Sequence, residues 1–283
     1  MHRIVLADNL EVLRALPDGA VNLIYLDPPF NTGKLQRRTT LRSERVDDDS
    51  SEDGDRTGFG GHRYRTTELG SRAFEDAFDD FLGFLEPRLI ECHRVLADDG
   101  SLFLHLDPRE SHYAKVLLDG LFGRESFLNE IVWSYDYGGR SKRRWPAKHD
   151  TILWYAKDPA RYTFNYDAID RIPYMAPNLV TEEKAARGKV PTDVWWQTIV
   201  PTSGSERTGY PTQKPLAILE RIVRVHSNPG DLVADFFAGS GTTGEAAARN
   251  NRRFLLVDEH SEAIDVMRAR LAGWRPEITL EAE

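Results

Sequence analysis

Residues 27–30 read Asp-Pro-Pro-Phe and follow directly on the apolar run VNLIYL. Such a run predicts a buried strand that delivers the aspartate at its carboxyl end. The prolines hold φ near about −65° and remove two amide donors. Two acceptors in fixed geometry remain, the Asp27 carboxylate and the Pro28 carbonyl, beside the flat apolar face of Phe30. A planar base with an exocyclic amine fits that set, with its two N–H bonds on the acceptors and its ring on Phe30. The amine lone pair is delocalised into the ring, so the nitrogen is a poor nucleophile. Two acceptors pull it towards tetrahedral geometry and stabilise the positive charge that develops as it attacks a sulfonium methyl. The proton can leave afterwards to Asp27 or to water. No metal, cysteine nucleophile or histidine base is required.

A second constellation lies at residues 231–244, DLVADFFAGSGTTG. Gly239, Gly241 and Gly244 have the G-x-G-x-x-G spacing between a strand pattern and a helix pattern, and Asp258 ends the next strand pattern. This is the physical layout of a dinucleotide site: a tight turn, close backbone approach, and an acid for ribose hydroxyls. The same turn suits S-adenosylmethionine, with Ser240, Thr242 and Thr243 facing its zwitterionic tail. The glycines do not decide between a nicotinamide cofactor and a sulfonium one. A P-loop is set aside, because no lysine precedes Thr242 or Thr243.

Short β-rich runs alternate with helical patterns, which predicts an α/β fold with a parallel sheet. Strands are read at 2–8, 21–27, 101–107, 129–133, 151–157, 231–237 and 252–258, and helices at 9–16, 74–84, 87–97, 111–121, 178–187, 215–226, 242–250 and 261–272. Five strand patterns end on or just after an aspartate, namely Asp8, Asp27, Asp107, Asp235 and Asp258. Ligands of open α/β sheets bind outside the carboxyl ends of the strands, so this gathers acids around one crevice.

Two stretches interrupt the alternation. Residues 34–72, centred on DDDSSEDGD, have the composition of a mobile loop attached beside the crevice, either a solvated insertion or a lid. Residues 134–213 contain YDYGGRSKRRWPAKHD and then DVWWQTIVPTSGSERTGY, and in the first run Arg140, Lys142, Arg143, Arg144 and Lys148 are interleaved with Tyr135, Tyr137 and Trp145. Cations suit phosphates and aromatic faces suit bases, so this run predicts a nucleic-acid contact. The net charge of −8 argues only weakly against that, because binding needs a local basic surface. The single cysteine, Cys92, excludes a disulfide framework and a multi-cysteine zinc site. With no 18-residue apolar run and no signal-peptide pattern, a cytoplasmic protein is expected.

YLDPPFNTG, followed far downstream by PTQKP and DFFAGSGTT, resembles the β-class of bacterial DNA amino-methyltransferases, the N6-adenine/N4-cytosine family. The likeness extends to ADNLEVLRALPDGAVNLIYLD, FLEPRLIECHRVLADDGSLFLHLD, NEIVW with HDTILWYAKD, and RRFLLVDEHSEAIDVMRARL, while 34–72 and 158–205 lack counterparts. The resemblance implies a Rossmann-like, mostly parallel sheet of seven strands with TILWYAK reversed. It implies S-adenosyl-L-methionine as cofactor and double-stranded DNA as partner, with the target base flipped into the pocket. Residues 1–133 and 206–283 would form the catalytic domain, and 134–205 the target-recognition region.

By position, Asp27, Pro28, Pro29 and Phe30 carry over as the catalytic tetrapeptide, and Asp235, Phe236, Ala238, Gly239, Ser240, Gly241, Thr242 and Thr243 as the cofactor turn. Asp258 would take the ribose hydroxyls, Asp8 and Asn9 would lie near the adenine, and Lys214, after Thr212 and Gln213, would begin the helix that closes the methionine side. Aspartate at the first catalytic position is more usual for adenine and serine for cytosine-N4, which leans the reading to adenine and keeps cytosine open. Homodimers are frequent in this family and some members work beside a cognate restriction endonuclease; the sequence neither supports nor opposes either partner. Three readings compete with this one, and of these a non-catalytic DNA-binding module would leave an intact cofactor turn idle. An NAD-dependent oxidoreductase explains 231–258 but leaves DPPF and the basic run without a role. A protein-glutamine N5-methyltransferase uses N-P-P-Y downstream of the glycine turn, and here both residue and order differ.

Overall fold

The computed structural model describes residues 2–31, 34–45, 56–57, 63–76, 78, 80–201 and 204–280; across 34–45, 56–57 and 63–76 the description is of the backbone. Met1–Phe30 and Asp80–Glu283 form one compact unit and Asn31–Asp79 a second. In chain order the strands are β1 (Arg3–Leu6), β2 (Val21–Leu26), β3 (Lys34–Arg45), β4 (Arg56–Thr57), β5 (Arg63–Asp76), β6 (Leu96–Leu106), β7 (Phe127–Ser134), β8 (His149–Ala156), β9 (Val194–Trp196), β10 (Leu232–Asp235), β11 (Arg253–Asp258) and β12 (Glu277–Leu280). The α-helices are α1 (Asn9–Ala15), α2 (Phe81–Val95), α3 (Ser111–Phe122), α4 (Glu182–Arg187), α5 (Leu216–His226), α6 (Thr242–Arg249) and α7 (Ser261–Leu271).

The large unit is built on a sheet in the order β12-β1-β11-β10-β2-β6-β8-β7-β9. All neighbours pair in parallel except β8, which runs antiparallel to both β6 and β7. The expected α/β sheet is present with TILWYAK as its reversed strand, but with nine strands rather than seven. The additions are edges: β12 pairs beside β1, and the three-residue β9 beside β7. Both are too short to carry a periodic signal. Interior strands such as β2 are buried along nearly their whole length, as a sheet covered on both faces requires.

Adjacent strands β2 and β10 define the crevice. From β2 the chain passes through α2 to β6 on one side; from β10 it passes through α6 to β11 on the other. Their crossovers diverge, so the carboxyl ends of this pair form the topological switch point where ligands of such sheets bind.

Two local expectations differ from the structure. The helix read at 74–84 is absent: β5 runs to Asp76, with Phe74 paired to Gln36, and α2 begins at Phe81. The Asp80 carboxylate accepts from the Gly83 amide at 2.8 Å and sets that start, and α2 then passes through Pro87 as one helix. The second is the loop read at 34–72. There β3 and β5 pair antiparallel from Lys34↔Asp76 to Arg45↔Tyr64, with β4 beside β5, so ladder pairing overrides a polar composition. The acidic centre of that stretch, at 46–55, lies outside the described residues. Among the described residues no helix is long and apolar enough to cross a membrane.

Candidate active site

Asp27 follows β2 at the switch point. Its Oδ2 pairs with the Lys214 ammonium, and the two side chains are only 16% and 10% exposed. Its Oδ1 is buried and has no hydrogen-bond partner among the described residues. Unsatisfied buried acceptors cost free energy, and such an atom in a crevice marks a place for a donor. Phe30 flanks this point, with the Lys214 nitrogen 4.9 Å from its ring centroid. The structure therefore brings Lys214 to Asp27 and Phe30, from which it is distant in sequence.

Lys214 is positioned by backbone and cap contacts. The Thr242 hydroxyl donates to the Lys214 carbonyl at 3.2 Å, tying the segment before α5 to the glycine turn. Gln213 accepts from the Thr208 amide and hydroxyl, each at 2.8 Å, and donates to the Glu206 carbonyl at 2.7 Å. The Glu206 carboxylate accepts from the Leu216 amide at 3.1 Å and caps α5.

The glycine turn runs from β10 into α6. Gly239 and Gly241 have φ of +48° and +72°, the left-handed region that favours glycine. The Gly239 amide donates to Asp258 Oδ2 at 2.8 Å, linking the turn to the end of β11. Asp258 is also raised from the ordinary carboxylate range by burial, partly offset by the amides of Gly239 and His260. Asp235 is buried, accepting from the Thr243 hydroxyl at 2.6 Å and the Phe237 amide at 3.0 Å. Burial pushes its carboxyl up to about 7; those two hydrogen bonds oppose the shift, and the charges of Asp27 and Asp258 add to it.

The motif spacing directs the hydroxyls of Ser240, Thr242 and Thr243 towards a ligand, whereas in the structure all three bind protein atoms, Thr243 at Asp235, Thr242 at the Lys214 carbonyl and Ser240 at the Thr242 hydroxyl. Arg270 of α7, which the motif spacing did not indicate, donates to the Thr242 hydroxyl at 2.8 Å and the Ser240 carbonyl at 3.2 Å. Asn9 donates to the Phe236 carbonyl at 2.7 Å and accepts from Arg88 at 2.6 Å. Asp8 caps α1 through the Leu10 amide at 2.7 Å and pairs with Arg88 at 3.2 Å. Asp107 accepts from the Arg109 amide at 2.9 Å and from its guanidinium at 2.7 Å. Asp258 offers a carboxylate for ribose hydroxyls, Lys214 a cation for a carboxylate, and the left-handed glycines a close backbone approach. This set fits S-adenosylmethionine. Among the described residues no group of His, Cys, Asp and Glu is arranged to hold a metal ion.

The basic run lies between the carboxyl end of β7 and the start of β8, at the same end of the sheet as Asp27. Lys142, Arg143 and Arg144 are exposed there, with Trp145 96% exposed among them. The other two cations have structural partners: Arg140 pairs with Asp136 at 2.9 Å, and Lys148 donates to the carbonyls of Tyr137 and Gly139.

Comparison with known proteins matches residues 21–269 to the DNA methylase family. The DNA adenine methyltransferase YhdJ of Escherichia coli K12 is 33% identical over 276 residues, covering 95% of this chain and 82% of that protein. Type II methyltransferase M.HpaI of Haemophilus parainfluenzae is 30% identical, covering 95% and 74%. Among solved structures, the M1.HpyAVI–SAM complex superposes with a TM-score of 0.60 at 22% identity, covering 96% of this chain and 99% of that one. The cytosine-N4-specific PvuII DNA methyltransferase superposes at 0.61 with 13% identity, covering 99% and 95%. The chain thus belongs to the N6-adenine/N4-cytosine DNA methylase family, S-adenosylmethionine-dependent enzymes that methylate the exocyclic amine of a DNA base.

Proposed function

We propose that this enzyme methylates the N6 amine of an adenine turned out of duplex DNA into the pocket between Asp27 and Phe30. The observation that carries the reading is the buried, unpartnered Oδ1 of Asp27 at the switch point, beside an aromatic plate. Lys214 holds Oδ2, so the carboxylate cannot swing away and Oδ1 is presented as a fixed acceptor. One amine N–H meets Oδ1 and the other the Pro28 carbonyl, which draws the lone pair out of the ring. S-adenosylmethionine, when bound, supplies an electrophilic methyl. Asp27 then accepts the proton that the methylated amine sheds and passes it to water. Asp258 and the glycine turn hold the cofactor, and Lys142, Arg143 and Arg144 meet phosphates.

Adenine is favoured over cytosine by the aspartate at position 27 and by the adenine-specific name of the Escherichia coli relative. The family match leaves no place for the nicotinamide and glutamine-methylating alternatives. The type II names of other relatives support a working partnership with a restriction endonuclease of the same recognition sequence. Long-read sequencing of DNA from a host expressing the protein tests the whole reading. N6-methyladenine within one sequence context is expected; N4-methylcytosine would reverse the base assignment, and unmodified DNA would overturn the function.

A further inference from the structure

Behind Phe30 the sheet carries a chain of buried polar side chains that methyl transfer itself does not call for. Tyr25 of β2, His105 of β6 and Asp150 of β8 stand on three neighbouring strands, and Tyr135 directly follows β7. The Tyr25 hydroxyl lies 2.5 Å from His105 Nδ1, and His105 Nε2 lies 3.2 Å from Asp150 Oδ2. The Tyr135 hydroxyl donates to Asp150 Oδ1 at 3.0 Å. His105 is wholly buried, and Tyr25 and Asp150 nearly so. Apolar residues would fill this space without the desolvation that a buried carboxylate and imidazole incur.

The chain locks one ring. A neutral imidazole accepts from Tyr25 and donates to Asp150; a charged one donates to both. Either way both nitrogens are committed, and the ring cannot turn without breaking two buried hydrogen bonds. Burial, followed by the charges of Asp27, Asp235 and Asp150, holds the Tyr25 phenol well above its ordinary range, so it stays a neutral partner. Burial also works against the Asp150 charge. The His105 hydrogen bond and charge, the Lys214 charge and the Tyr135 hydrogen bond outweigh it, and the carboxyl lies below its ordinary value. The locked ring meets Phe30 at a centroid distance of 5.9 Å and an angle of 38°, and Trp133 edge-on at 5.5 Å.

We propose that Tyr25, His105, Asp150 and Tyr135 form a positioning element for the target base, fixing the His105 ring on which Phe30 rests and thereby the orientation of the Phe30 plate. The proposal rests on the base-capture reading above. It separates base capture from cofactor binding, because the chain lies across β2, β6, β8 and β7, whereas the glycine turn and Asp258 lie across β10 and β11.

The test compares wild type with Tyr25→Phe, His105→Leu and His105→Gln on a duplex carrying 2-aminopurine at the target position, whose fluorescence rises when the base unstacks. Single-turnover methyl transfer to the unmodified duplex and cofactor affinity are measured alongside. Tyr25→Phe removes one oxygen and tests the proposal even where a His105 variant fails to fold. The expected result is a loss of tenfold or more in transfer rate and a lowered 2-aminopurine plateau for Tyr25→Phe and His105→Leu, with cofactor Kd within twofold. His105→Gln, which keeps a donor towards Asp150, should recover part of the rate. Wild-type rate and fluorescence in Tyr25→Phe would overturn the proposal, as would proportional losses of rate and cofactor affinity, the mark of a purely structural role. A wild-type enzyme that transfers no methyl to DNA would instead bring down the functional reading beneath it.

Discussion

Asp27→Asn is the sharpest probe of the site, because it preserves shape and changes the chemistry of one atom. In the wild type Oδ2 is committed to Lys214 and Oδ1 is the open acceptor. Asparagine has a single acceptor oxygen for two positions that both require one. The Lys214 ammonium is the stronger donor, so the amide oxygen turns to it and the NH2 group faces the target amine. Transfer then loses a charge-assisted hydrogen bond, roughly 1.5–3 kcal/mol, and leaves opposed donors in a buried site, roughly 1–3 kcal/mol more. The sum of roughly 2.5–6 kcal/mol corresponds to a loss of rate between about 60-fold and about 10⁴-fold, at about 1.4 kcal/mol per tenfold. Single-turnover transfer at saturating cofactor and duplex measures it, and titration calorimetry of the cofactor serves as the control. A rate within tenfold of wild type would refute the reasoning and remove Oδ1 from the transition state.

Three further outcomes can be checked. Replacing Arg143 and Arg144 by Gln should lower the slope of log binding constant against log salt by about 1.8, at about 0.9 per lost phosphate contact; an unchanged slope would place both side chains in solvent. Gly241→Ala puts a Cβ 2.8 Å from the Met267 Cγ at a φ of +72°, so it should cost at least about 1–2 kcal/mol in unfolding free energy and weaken cofactor binding; an unaltered Tm would contradict this. His226 lies in an aromatic cage with Trp154 at 4.3 Å and Phe103 at 4.8 Å, and burial pushes it down to about 3. The unfolded chain takes up this proton near about pH 6.5 and the folded chain does not, so this contribution is complete above that pH. It is lost at about 1.4 kcal/mol per unit as the pH falls towards about 3. Asp235 slopes the opposite way between about 4 and about 7, so the comparison is between wild type and His226→Phe. Urea unfolding at pH 7 and pH 5 should show a smaller loss in the variant, and equal losses would rule the cage out as the cause.

The sequence by itself determined the reactive groups and the strands that carry them. A D-P-P-F turn after a buried apolar run, and glycines at G-x-G spacing between a strand and a helix, are local patterns, and local backbone chemistry decides both. All seven strands read from periodicity are present, because interior strands of a doubly covered sheet are apolar over their whole length. Five strand-end aspartates were legible too, but not their uses. Asp8 is spent on a helix cap and Arg88, Asp107 on Arg109, and Asp235 on Thr243; Asp27 alone keeps a buried oxygen without a partner among the described residues. That sorting is tertiary, since it depends on which side chains arrive from elsewhere in the chain. Lys214 reaches Asp27 across 187 positions and Asn9 reaches Phe236 across 227, and no spacing rule connects them. The short edge strands β9 and β12 exist only because a neighbour offers them a ladder. The Tyr25–His105–Asp150 chain likewise exists only because strand order places three distant residues side by side, where burial makes their hydrogen bonds obligatory.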